Sequence, residues 1–113
     1  MEIKGEEYRI NYDSGTITVT CQGSFRLRRT EYAPIKQLLN EVADATPPLI
    51  TLNMRDLEFL NSSGINMFSK FVIRVRKLKS SQVVLLGSHE IPWHDKSFRN
   101  LKRLMRNLKL EWT

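Results

Sequence analysis

Cysteine, histidine and glycine are scarce in this chain: one Cys, two His and five Gly among 113 residues. A lone Cys21 closes no internal disulfide, which fits a reducing compartment. His89 and His94 lie five apart around Pro92-Trp93. That spacing matches no standard metal pair, and no cysteine cluster joins them, so both read as surface-loop histidines and no metal is expected. His94-Asp95 are neighbours in sequence, which does not assemble a nucleophile triad around any serine. No glycine-rich loop ends in Gly-Lys-Ser/Thr, so phosphoryl transfer by this chain has no cradle. Apolar runs as short as Val83-Val84-Leu85-Leu86 are the longest present, far below the roughly 20 residues of a membrane span. Glu2-Ile3-Lys4-Gly5-Glu6-Glu7 lacks the apolar segment of a secretory signal. A soluble, cytoplasmic, non-enzymatic domain occupying residues 1–113 is the expectation, without membrane association.

Acidic residues are also scarce, but only in one half. Residues 1–60 hold 7 Lys/Arg against 9 Asp/Glu, and residues 61–113 hold 11 against 3. From Lys96 to Lys109 six cations occur without an acid between them. Such a surface suits an anionic partner, nucleic acid included. With no helix-turn-helix spacing and no aromatic stacking platform, a solvated helix face is the preferred reading and nucleic acid is not the expected partner.

The remaining pattern is that of a layered α/β domain. Tyr8, Ile10 and Tyr12 alternate with polar residues, Asp13-Ser14-Gly15 supplies a turn, and Ile17, Val19 and Cys21 alternate within Thr16–Gln22; together they predict a hairpin. A helix follows, with Thr30 as N-cap, Pro34 in the first turn, and Ile35, Leu38, Leu39 and Val42 inward. Pro47-Pro48 stop the chain ahead of Leu49–Leu52, a short strand of the type buried on both faces. Ser62 or Ser63 opens a second helix running to about Lys79, with Ile65, Phe68, Phe71, Val72, Val75 and Leu78 on one arc and Met67 at its border. Val83–Leu86 forms another buried strand. Asp95 or Ser97 caps a third helix burying Phe98, Leu101, Leu104 and Leu108, with a short terminal strand as the competing reading for Leu108–Trp112. The order is β-β-α-β-α-β-α with an optional last strand: a mixed sheet of four to five strands and three main helices.

The segment with functional content is Phe59-Leu60-Asn61-Ser62-Ser63-Gly64-Ile65. Asn61 is a good N-cap, Ser62 and Ser63 stand at the positive end of the helix dipole, and Gly64 lets another backbone or a ligand approach. As a cap, Asn61 is expected to contribute about 1 kcal/mol relative to Ala, with Asp at the same position close to neutral or slightly stabilising.

This stretch, in its place among the flanking elements, resembles the STAS family and within it the small bacterial anti-sigma factor antagonists. Their motif is Asp-Ser-Ser-Gly plus an apolar residue at the start of the second helix, and the likeness runs from the Thr16–Gln22 strand to the third helix. The first serine is the family's phosphoacceptor, so the resemblance assigns phosphorylation to Ser62. Gly23-Ser24-Phe25-Arg26 stands where the family has a Gly-Glu-Leu-Asp-like loop. Two positions depart from the pattern, Asn61 for the aspartate and Arg26 for an acid. The resemblance implies a partner-switching regulator that binds a serine kinase acting as an anti-sigma-type protein. That kinase modifies the serine, and a PP2C-like phosphatase restores it. ATP belongs to the kinase, so no cofactor is expected here. The contact surface so implied comprises Asn61, Ser62, Ser63 and Gly64, with Ser24, Arg26 and Met67 at its edge. Two alternatives keep their place: a constitutive docking module without phosphorylation, and an anion or nucleic-acid binder using the basic C-terminal helix.

Overall fold

The computed structural model describes all 113 residues. Six strands form one sheet: β1 (Glu2–Lys4), β2 (Tyr8–Asp13), β3 (Thr18–Phe25), β4 (Leu49–Leu60), β5 (Gln82–Gly87) and β6 (Lys109–Trp112). Three helices connect the later strands: α1 (Ala33–Asp44), which a 3-10 turn at Arg29–Tyr32 introduces, α2 (Ser62–Leu78) and α3 (Pro92–Leu104). The strands lie in the sheet in their sequence order. β1, β2 and β3 are antiparallel, whereas β3 through β6 are parallel. Each β-α-β crossover is right-handed by the usual preference, and all three step in the same direction, so all three helices fall on one face. The domain therefore has two layers and an open sheet face.

That layering corrects the expectation of strands buried on both sides. Ile50, Leu52, Val83 and Leu85 are fully buried beneath the helices, while Thr51, Val84 and Leu86 on the opposite face remain half-exposed. Twenty-six buried residues form a single apolar cluster, as expected of one domain.

Further corrections have local causes. The sheet has six strands because β1 pairs with β2 and the competing terminal strand does form, parallel to β5. Leu108 is buried in the loop before β6 rather than on the third helix. Ile17 is not in a strand; it closes the hairpin turn at φ +51°, and its carbonyl accepts the Thr51 N–H. Thr30 lies inside the 3-10 turn and Tyr32 takes the N-cap position of α1, with Pro34 in the first turn. α3 starts earlier than expected: its N-cap is Ile91, Pro92 opens the first turn, and Asp95 lies inside that turn. On α2 the arc of Phe68, Phe71, Val72 and Val75 is buried, but Ile65 and Leu78 are exposed.

The largest difference is β4, which runs for 12 residues instead of four. Its register against β3 shifts twice, between Thr20 and Gln22 and between Gly23 and Ser24. Each shift inserts an extra β4 residue, so the inward residues Met54, Leu57 and Leu60 recur every three positions rather than every two. A strand with that spacing reads as a loop. Its length carries the chain to the end of β3, where Leu60 pairs with Phe25. Beyond the end of β5, rings from α3 serve the outer edge of β4. Trp93 Nε1–H donates to the Glu58 carbonyl at 2.8 Å, and His94 Nε2 meets the Leu57 carbonyl at 2.7 Å.

Candidate functional site at the start of the second helix

β3 and β4 end side by side, and the Asn61 N–H donates to the Phe25 carbonyl at 3.2 Å. This junction brings the Ser24–Leu27 segment against the start of α2. Asn61 is the N-cap, and both ends of its side-chain amide are hydrogen-bonded. Oδ1 accepts the Gly64 N–H at 3.0 Å and the Tyr32 hydroxyl at 2.7 Å. Nδ2 donates to the Leu27 carbonyl at 2.7 Å. Those partners settle the amide orientation, since a backbone N–H needs the oxygen and a carbonyl needs the nitrogen. One amide thus joins the exit of β3, the 3-10 turn and α2.

Tyr32 is buried, and its Oη lies 3.2 Å from the Phe25 carbonyl as well. Burial pushes its phenol pKa up to about 12, so it stays a neutral donor at any physiological pH. No expectation included Tyr32. Its only sequence signal was an aromatic just ahead of a helix opened by Ala33-Pro34.

Ser62 and Ser63 are the first two residues of α2, and by position their N–H groups precede the helix's first i to i−4 bond, from Ile65 to Asn61. Ser62 is exposed and Ser63 is half-buried. A phosphate on Ser62 would lie at the positive end of the dipole and be favoured by about 0.3–1 kcal/mol.

Gly64 and Met67 depart from the expected contact surface. Gly64 is buried, and a Cβ built on it would meet the Leu60 side chain and lie 2.7 Å from Tyr32 Oη. The missing side chain makes room for the protein's own Tyr32 rather than for a partner. Met67 is 3% exposed and belongs to the core. Ser24 is half-buried on β3 opposite Phe59, and Arg26 is exposed with its guanidinium 4.3 Å above the Phe59 ring and 3.9 Å from Glu7. Phe59 and Ile65, either side of the Asn61–Ser62 pair in sequence, are exposed. The accessible surface therefore comprises Ser62, half of Ser63, Arg26, Phe59 and Ile65. Phe59 belongs to the motif segment but not to the contact surface that the resemblance implies; its exposure follows from β4 running on past Leu52 to Leu60.

The other candidates take structural roles. His94 is fully buried rather than in a surface loop. Its Nδ1 accepts the Ser88 N–H at 3.1 Å, so Nε2 carries the proton given to Leu57. Burial, partly opposed by the Leu57 bond, lowers its pKa. His89 is exposed and stacks on Trp112 with centroids 5.3 Å apart. Cys21 is buried and its thiol is pushed up to about 12, the opposite of an activated nucleophile. No three His, Cys, Asp or Glu residues converge as a metal set. In the basic C-terminal segment, Arg99 pairs with Asp95 at 2.8 Å, and Lys102 Nζ donates to the Arg106 and Leu108 carbonyls. Some of that charge staples α3 to the loop before β6. No helix is long and apolar enough to cross a membrane.

No protein-family profile matches the chain, and no curated protein sequence matches it either. Solved structures do. The chain is similar to one in the crystal structure of diguanylate cyclase SiaD in complex with its activator SiaC from Pseudomonas aeruginosa, with a TM-score of 0.74 and 12% identity over 99% of this chain and 97% of that one. It is also similar to SiaC of Pseudomonas aeruginosa, with a TM-score of 0.63 and 12% identity over 100% and 94%. The shared property is the fold, end to end.

Proposed function

We propose that this chain is a STAS-like partner-switching regulator that works by binding another protein and is controlled by phosphorylation of Ser62. The observation that carries the proposal is the exposed serine at the first position of α2, set on a rigid N-cap network and flanked in sequence by exposed Phe59 and Ile65. Large apolar side chains beside a polar acceptor suit a protein contact. Adding roughly −1.5 to −2 charges at its centre would break that contact by repulsion and desolvation. The fold shared with SiaC, described as the activator of a diguanylate cyclase, supports a regulator acting through contact. The partner of this chain is a serine kinase of the anti-sigma type or an output enzyme such as a cyclase, with a PP2C-like phosphatase resetting the mark in the cytoplasm. The contact residues are Arg26, Phe59, Ser62, Ser63 and Ile65, with Asn61 and Ser24 setting their positions.

Incubating wild type, Ser62→Ala and Ser63→Ala with a cognate serine kinase and ATP tests the switch, read by site-resolved mass spectrometry and pull-down. Phosphate on Ser62, loss of binding on modification, and retained binding by Ser62→Ala are expected. Phosphate on Ser63 alone overturns the residue assignment. A constitutive docking module is the second reading, favoured by the Asn61 amide and by Arg26 lying over Phe59 where acids stand in the family. Stable binding to the kinase without phosphate on any serine would select it.

A further inference from the structure

We propose that the open face of the sheet is the contact surface of a homodimer, in which two copies stack face to face with their strands antiparallel. The proposal goes beyond the switch at Ser62 and does not rest on it. Strands β3 to β6 are parallel, and the helices cover only one of their faces. Parallel sheets are ordinarily covered on both. The uncovered face also has the composition of a contact. No charged residue occurs at positions 18–22, 49–53 or 82–86, the central stretches of β3, β4 and β5. The registers arrange the outward residues in levels. Thr18, Thr51 and Val84 stand side by side on one, Thr20, Asn53 and Leu86 on the next, and all six are half-exposed. Exposed Leu49 precedes Thr51 on the same face. Such a surface offers no cation to a phosphate backbone or an anionic membrane, but it can pack against a second sheet.

The rim identifies that second sheet as another copy. On β6, exposed Lys109 lies beside Val84 and exposed Glu111 beside Leu86. Within one chain the two charges are 3.4 Å apart. Consider a two-fold axis that crosses the strands between the two levels. It places Lys109 of each copy over Glu111 of the other, so the rim is complementary to itself. The same turn sets Val84 over Leu86, Thr51 over Asn53 and Thr18 over Thr20. On β2 it sets Asp13 over Asn11, so no like charges meet on these levels. With strands about 4.8 Å apart and same-face residues about 6.8 Å apart, five strands and three levels span roughly 500 Å² of each copy. The pair then lies near the lower limit for a specific interface, about 1,000 Å² in total, which sets a micromolar expectation. Antiparallel stacking leaves Ser62, just beyond the end of β4, at opposite ends of the dimer.

Sedimentation velocity of the whole chain over about 5–500 µM tests the dimer without any other protein, so its failure leaves the switch at Ser62 untouched. A monomer–dimer equilibrium with a dissociation constant of about 1–100 µM is expected. Thr51→Arg and Thr20→Arg each set a charge in the middle of the face and should weaken it at least about tenfold, with the fold checked by circular dichroism. Lys109→Glu and Glu111→Lys should each weaken self-association to a similar degree. An equal mixture of those two variants should recover it, because opposite charges then meet in both directions. A chain that stays monomeric throughout overturns the dimer and leaves the face to a different protein. A dimer that neither arginine variant weakens overturns the choice of face. Rim variants that do not recover on mixing overturn the antiparallel stacking.

Discussion

Replacing Asn61 by Asp exchanges a single NH2 group for oxygen, and the structure gives that change a sign opposite to helix-capping rules. A carboxylate retains the Gly64 N–H and the Tyr32 hydroxyl as donors, and it adds an anion at a helix N-terminus, for a gain of about 0.3–1 kcal/mol. Its second oxygen, however, would occupy the place of Nδ2, 2.7 Å from the Leu27 carbonyl. Two acceptors then face each other. The hydrogen bond is lost and a part-buried carbonyl is left unpaired, costing about 1–3 kcal/mol. The loss outweighs the gain, and Asn61→Asp should be destabilised by about 1–2 kcal/mol at pH 7. Protonating the acid restores a donor toward Leu27. Its folded-state pKa should thus rise above the unfolded value, and the penalty should shrink as pH falls through that folded value. Asn61→Ala loses all three side-chain bonds and should cost about 2–3 kcal/mol, more than a cap alone. Urea denaturation at pH 7 and pH 4, with unchanged m-values, reads these differences. An Asp variant as stable as the parent at pH 7 would refute the assignment of Nδ2 to Leu27.

Other expected outcomes follow from the same neighbourhood and from α3. Gly64→Ala, a change that ordinarily favours a helix by about 1 kcal/mol, should instead destabilise by about 1–3 kcal/mol because the new Cβ meets Leu60 and Tyr32; a raised melting temperature would contradict the packing described. Ser62→Asp should leave stability unchanged or raise it by up to about 1 kcal/mol, since the side chain is exposed at the start of α2, even as it weakens partner binding in a pull-down. His94 is buried neutral with a lowered pKa, so the unfolded chain takes up its proton first. Stability should be full above the unfolded value of about 6.5 and decline as pH falls from there toward the folded value. His94→Leu should be less stable at pH 8 and should lose that decline, and an unchanged pH profile would count against a buried neutral ring.

Much of the site could be read in the sequence because its signal is local. Asn61-Ser62-Ser63-Gly64 announces a capped helix start, and the observed cap and first helical residue agree with it. The identity of the cap's other partners was not legible. Tyr32 and Leu27 lie 29 and 34 positions away, and nothing in their own surroundings marks them as ligands of an amide. The helix faces were largely readable, with Ile35, Leu38, Leu39 and Val42 all buried as their spacing implies. β4 was not, because two inserted residues erased the alternation that identifies a strand. His94 was misread for a related reason: its burial depends on the carbonyls that β4 exposes after β5 ends, which no local pattern encodes.

The match between strand order and chain order bears on how the protein is made. A sheet whose every strand pairs with its predecessor grows only at one edge. The topology permits a chain emerging from the ribosome to complete a hairpin first and to add each later strand beside the last once its crossover helix has been synthesised. No strand must be wedged between two that are already joined, and no early segment must wait for a late one to fill a gap in the sheet. Each pairing in the sheet thus spans a single turn or crossover, and none joins the two ends of the chain.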